Sequence, residues 1–138
     1  MKYTERNSEH PGYLNATVTA GARMVNDTIN TIMNSPYAET TLILVLWDES
    51  GGYYDHKSPP AANSFDGQPY GARTPALAVG KFAKSNYVSH DLMEHSSVVK
   101  FLEWNFLGSE GQLRTRDADC SILNIGDLLD VSKTVTPV

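Results

Sequence analysis

The sequence has 138 residues, enough for one domain with a reasonable hydrophobic core. It has 11 Lys and Arg against 16 Asp and Glu, and the net charge of -5 argues against a nucleic-acid-binding surface or a polybasic membrane patch. A single cysteine, Cys120, excludes an intramolecular disulfide framework, and we expect its thiol to be buried. No segment has membrane-spanning length, and the first ten residues lack the apolar core of a signal peptide.

The first predicted element is an amphipathic helix over residues 14–34. Its apolar residues recur at steps of three and four, which places them on one face of a helix. They are Val18, Ala22, Val25, Ile29, Ile32 and Met33. Ser35-Pro36 ends the pattern, because proline cannot continue a helix.

Two strands are predicted next. Leu42–Trp47 is a continuous apolar run of strand length, and such a run is typical of a strand buried on both faces in a parallel sheet. Pro75–Val79 predicts a second short buried strand.

Two helical patterns complete the chain. The first begins at a serine cap, Ser96 or Ser97, and ends before Gly108. Its buried side is predicted to consist of Val99, Leu102 and Phe106. The second, weaker pattern covers residues 117–130.

Polar residues begin directly after the first predicted strand. Ligands of open α/β sheets bind outside the carboxyl ends of the strands, which is where Asp48 and Glu49 lie. Adjacent carboxylates repel each other unless a cation or a proton lies between them. Hard divalent metal ions prefer oxygen ligands of this kind. An imidazole such as that of His56 suits transition metals. Gly51-Gly52 permits a sharp turn. The alternative is a solvated turn, because Gly and Asp are ordinary turn residues.

The segment from Trp47 to His56 reads Trp-Asp-Glu-Ser-Gly-Gly-Tyr-Tyr-Asp-His, and Pro59-Pro60 follows. This string resembles the signature of the bacterial phosphoesterase family that includes phospholipases C and an acid phosphatase. Other segments resemble family elements in order and spacing: Ser8–Pro11, Ser35–Tyr37, Gly71–Pro75, Lys81–Lys84, Tyr87–His90, Ser96–Glu103, and Leu113–Asp117 with Asp127–Asp130. The resemblance spans nearly the whole chain.

The resemblance implies an α/β fold of the alkaline-phosphatase-like type, a three-layer αβα arrangement with a largely parallel sheet. Residues 1–138 would form its carboxyl-terminal portion. The implied reaction is metal-assisted hydrolysis of a phosphate ester, with a divalent metal ion of open identity held by Asp48, Glu49 and His10. Asp55 and His56 are the expected catalytic residues, which would orient the site or contact phosphate.

The sequence also departs from the family pattern. The family's amino-terminal Glu-Asn-Arg-Ser-Phe-Asp-like element and the hydroxyl nucleophile after it have no counterpart here. We therefore expect the chain to pair with a separate amino-terminal half and to be inactive alone. The alternative is a non-catalytic metal-binding fragment or lobe. Arg73 would either bind phosphate or pair with a nearby acid. The resemblance also implies that the protein could be exported, because relatives of this family often are.

Overall fold

The computed structural model describes residues 7–133, which form two compact units. The first unit includes the described residues up to Pro59 together with Gly71–Phe82, and the second includes Pro60–Tyr70 and the described residues from Ala83 onwards. All predicted site residues belong to the first unit: His10, Asp48, Glu49, Asp55, His56 and Arg73. Neither helix in the described part of the chain combines the length and apolar character that a membrane crossing requires.

The first predicted helix is confirmed as α1, Val18–Met33. It begins four residues later than predicted because the hydroxyl of Thr17 accepts a hydrogen bond from the backbone N–H of Ala20 at 3.1 Å, which caps the amino terminus. Asn34 caps the other end. Gly21 is the buried residue of this helix.

Both predicted strands form, as β1, Ile43–Leu46, and β2, Ala76–Val79. They pair antiparallel, whereas a largely parallel sheet was expected. A parallel neighbour requires a crossover, usually a helix, that carries the chain back to its starting end. The segment between β1 and β2 contains no helix, so the chain re-enters the sheet at the end where it left. This two-stranded pair is the only sheet within residues 7–133.

The antiparallel register decides which loops are neighbours. Leu46 pairs with Ala76, so the last residue of β1 lies beside the first residue of β2. The segment after β1 and the segment before β2 therefore leave the sheet at the same end. That end carries the predicted site.

The strands are not buried on both faces, contrary to prediction. Leu46 is 40% exposed and Leu77 is 48% exposed. A cavity of about 290 Å³ lies between α1 and β1. The buried apolar side chains of the described residues all belong to the second unit: Ala83, Ile122 and Ile125. The first unit thus has little core of its own.

The second unit contains α2, His95–Leu107. Its cap is Glu94 rather than a serine, and Ser97 accepts a hydrogen bond from the Glu94 backbone N–H at 2.9 Å. Gly108 ends the helix with φ 80°, as predicted, because glycine adopts this left-handed conformation without strain.

The fully buried residues of α2 are polar, so the predicted apolar face is wrong for two of its three residues. Leu102 and Phe106 are exposed, whereas Val99 is half-buried. The buried Lys100 ammonium donates to the carbonyl of Asp119 at 2.6 Å, and the Glu103 carboxylate accepts from the N–H of Gly111 at 2.8 Å. These two long side chains form hydrogen bonds with backbone groups of the segment that follows the helix.

That segment is not an α-helix, which corrects the weak prediction for residues 117–130. It forms two 3₁₀ turns, Arg116–Ala118 and Ile125–Leu128. The buried Asp117 carboxylate accepts hydrogen bonds from the backbone N–H groups of Leu113 and Thr115, which holds the preceding segment against the first of these turns. Cys120 is exposed rather than buried.

Candidate functional site

The predicted turn after β1 is confirmed. The Asp48 carboxylate accepts from the backbone N–H of Glu49 at 3.1 Å, and the Glu49 carboxylate accepts from the N–H of Gly51 at 2.7 Å. Gly51 and Gly52 have φ values of 66° and 73°. Two successive left-handed residues strongly favour glycine, which explains the Gly-Gly pair. Both carboxylates are exposed at the sheet end.

A second segment, residues 8–12, lies against this turn. The Nε2 atom of His10 is 3.7 Å from Oε1 of Glu49. A Cβ atom added to Gly51 would lie 3.2 Å from Cδ of Pro11, so the Pro11 ring lies close to the backbone of Gly51. The structure therefore brings together His10 and Glu49, which the resemblance assigned to one site.

The hydrogen bonds of His10 decide which ring nitrogen carries the proton. Its Nδ1 atom accepts from the N–H of Gly12 at 2.9 Å, so Nδ1 is unprotonated. A neutral imidazole with this arrangement carries its proton on Nε2, the atom that faces Glu49. The 3.7 Å separation is too long for a hydrogen bond, which leaves the Nε2–H group able to donate to a ligand.

The donor set at the strand end fits a divalent ion in part. Asp48 and Glu49 offer carboxylate oxygens, and magnesium-type sites commonly use one or two carboxylates with water and substrate oxygens. Within residues 7–133, however, no group of three or more His, Cys, Asp or Glu side chains is arranged to hold a metal. The assignment of His10 as a ligand stays a prediction, and a protonated Nε2 instead favours a donor role.

Asp55 and Arg73 form a bidentate ion pair at the same end of the sheet. Arg73 donates from Nε and Nη2 to the two carboxylate oxygens at 2.9 and 2.7 Å, and its backbone N–H donates at 3.1 Å. The backbone N–H of Lys57 adds a fourth bond at 2.9 Å. The Arg73 guanidinium, helped by these N–H groups, holds the pKa of the Asp55 carboxyl well below its usual range.

This pair ties the segment after β1 to the segment before β2. Of the two interpretations of Arg73, the structure favours pairing with an acid over phosphate binding. Both oxygens of Asp55 are engaged, which suits an orienting role for this residue. His56 follows it as an exposed side chain. Catalytic roles for Asp55 and His56 stay predictions.

We expect Asp55→Asn to weaken the link between the segment after β1 and the segment before β2. The stability of this variant should also fall less than that of the parent as the pH is lowered. The low folded-state pKa means that Asp55 stabilises the native state above about pH 4 and that this contribution is lost as the pH falls further. Thermal unfolding from pH 7 to pH 2 checks this, with Asp27→Asn on the exposed surface of α1 as the control. Identical acid dependence in both variants would contradict a stabilising pair.

One residue contact was not anticipated from the sequence. The indole N–H of Trp47 donates to Oε2 of Glu9 at 2.8 Å. The indole N–H of a partly buried tryptophan usually finds an acceptor. The sequence does not indicate that the acceptor of Trp47 is the carboxylate of Glu9.

Comparison with known proteins supports the resemblance. The family model described as "Phosphoesterase family" matches residues 1–107. A non-hemolytic phospholipase C of Pseudomonas aeruginosa is 30% identical over 128 residues, covering 72% of this chain and 18% of that protein. Phospholipase C B of Mycobacterium tuberculosis is 26% identical, covering 72% and 23%, and the non-specific phospholipase C6 of Arabidopsis thaliana is 27% identical, covering 86% and 26%.

The chain therefore spans about a fifth to a quarter of the length of these curated relatives. The matched residues 1–107 include α1, both strands and the whole strand-end turn. Because the family model covers well over half of the sequence, the chain belongs to the Phosphoesterase family.

Proposed function

We propose that this chain carries the metal-binding end of a phosphoric ester hydrolase of the phospholipase C or acid phosphatase type. The observation that carries the proposal is the placement of Asp48 and Glu49 directly after β1, with the Nε2 atom of His10 beside Glu49. We propose further that β1 and β2 belong to the three-layer αβα sheet that the resemblance implies.

Each residue has a distinct part in this proposal. Asp48 and Glu49 would hold a divalent ion, which when bound neutralises phosphoryl charge and lowers the pKa of a nucleophilic hydroxyl or water. His10 presents a proton on Nε2 toward the same place, where it would donate to a phosphoryl or leaving-group oxygen. Asp55 and Arg73 hold the loop that shapes this end of the sheet.

The substrate class follows from the relatives and the exposure of the site. The relatives are named phospholipases C, so we propose a phosphate ester of a lipid or of a small alcohol. The carboxylates lie on the surface of the first unit, where a headgroup phosphate would reach them without entering a deep cavity.

The nucleophile is the part of the reaction that this chain does not supply in our proposal. Ser50, Thr40 and Thr41 are the hydroxyl residues near the strand, and none stands at a family nucleophile position. We propose that a hydroxyl from a separate amino-terminal half completes the site. The alternative, a metal-binding lobe without turnover, shares the same carboxylates.

Metal binding tests the core of the proposal. We expect calorimetry with calcium, manganese and zinc to detect binding of at least one ion to the chain, and Asp48→Ala or Glu49→Ala to weaken it at least about tenfold, because each removes one of two ligands. Asp27→Ala on α1 is a matched control that removes an exposed carboxylate elsewhere. Equal affinity in all variants would remove the strand-end acids from the site.

A further inference from the structure

The Glu9–Trp47 hydrogen bond joins two segments that lie 38 positions apart in the sequence. Glu9 directly precedes His10, and Trp47 directly precedes Asp48. A single contact thus joins the two segments of the proposed site. The partly buried setting of the bond raises its strength relative to a solvated one.

The Glu9 side chain packs against helix α1 at Gly21. A Cβ atom added to Gly21 would lie 2.3 Å from both Cγ and Oε1 of Glu9, far inside van der Waals contact. Gly21 is the buried residue of the helix, so the missing side chain leaves a notch that Glu9 fills. Glu9 is held between α1 on one side and the Trp47 indole on the other.

We infer that Glu9 is a positioning residue that holds the His10 turn against the Asp48-Glu49 strand end, with Gly21 shaping its seat. The role of this placement in metal binding rests on the proposed function. The contact between Pro11 and Gly51 and the 3.7 Å approach of His10 to Glu49 are its structural consequences. Glu9 acts on the site only through its neighbours.

The test uses the full chain with Trp104→Phe, which leaves Trp47 as the single tryptophan. Three variants are compared in this background: Glu9→Ala, Glu9→Gln and Gly21→Ala. Gln keeps an acceptor for the indole N–H, whereas Ala at position 21 displaces Glu9 without changing its chemistry. Alanine is also the better helix former, so loss of contacts in Gly21→Ala would not reflect melting of α1.

The first readout needs no metal. We expect nuclear Overhauser contacts between the Pro11 δ protons and the Gly51 α protons in the parent and in Glu9→Gln. We expect their loss in Glu9→Ala and Gly21→Ala, together with a shift of the Trp47 emission maximum. Circular dichroism confirms that each variant is folded. Retained contacts and unshifted emission in both Glu9→Ala and Gly21→Ala would overturn the inference.

The second readout is the affinity, measured by calorimetry, for whichever of calcium, manganese and zinc binds the parent most tightly. Removing groups that orient metal ligands typically weakens binding 10- to 100-fold. We expect about a tenfold loss in Glu9→Ala and Gly21→Ala, and near-parent affinity in Glu9→Gln. Parent-like affinity in all three variants would overturn the positioning role. If the parent itself binds none of calcium, manganese and zinc while the Pro11–Gly51 contacts follow the expected pattern, the proposed function fails and the placement of the His10 turn by Glu9 stands.

Discussion

We expect the 138-residue chain alone to hydrolyse p-nitrophenyl phosphate or phosphatidylcholine at least about 10⁴-fold more slowly than a complete phosphoesterase. In our proposal Asp48 and Glu49 hold an ion and His10 presents a proton, but none of the three supplies a nucleophile. Members of a catalytic unit act together, and the loss of one removes most of the rate enhancement. Steady-state assays with and without added Mn²⁺ would measure this residual rate.

A chimeric enzyme tests whether this chain can function when a nucleophile is supplied. The chain would replace the matched segment of the Pseudomonas aeruginosa phospholipase C, over which the two sequences are 30% identical. Activity of the chimera, abolished by Asp48→Ala and retained in Asp27→Ala, is the expected result. A folded chimera that binds Mn²⁺ but has no activity would favour the non-catalytic lobe. Robust activity of the 138-residue chain itself would show that the nucleophile lies among its own hydroxyls or a bound water.

The local elements of the fold could be predicted from the sequence because their signals are local. The period of three and four predicts α1, the apolar run predicts β1, and Gly108 predicts the end of α2. The pairing of the strands could not be predicted in this way. A continuous apolar run favours a parallel sheet, whereas the direction of β2 depends on the path of the connecting segment.

The polar face of α2 shows a related limit. Apolar periodicity assigns Leu102 and Phe106 to the interior, but Lys100 and Glu103 are buried instead. Their partners are backbone groups of residues 111–122, which no pattern within the helix reveals. Long charged side chains enter the interior when the chain supplies hydrogen bonds for them, and this information is tertiary.

The same distinction between local and tertiary information applies to the candidate site. The strand-end position of Asp48 and Glu49 follows from the order of apolar and polar residues. The ion pair of Asp55 with Arg73 follows only from antiparallel pairing, because a parallel sheet would place the two segments at opposite ends. The tautomer of His10 follows only from the backbone N–H of Gly12.

The exposure of the strand pair leads to the second large expected effect. Leu46 and Leu77 lie on opposite faces of the ribbon, because Leu46 pairs with Ala76 while Leu77 pairs with Val45, one step along the register. Both leucines are more than a third exposed. Each strand also has a single partner within residues 7–133, which leaves two unpaired edges. Unpaired edges with apolar side chains are sites of association.

We therefore expect the isolated chain to associate in solution, with an unfolding midpoint that rises with protein concentration. Light scattering and thermal unfolding across a hundredfold concentration range would measure both effects. Leu77→Lys should reduce association, because a charge on an exposed strand face opposes pairing with another chain. Leu113→Lys, at a similarly exposed leucine of the second unit, is the matched control and should leave association unchanged. A monomer with a sharp, concentration-independent transition would contradict this prediction and would mean that the two-stranded ribbon, α1 and the cavity between them form a stable unit without further strands.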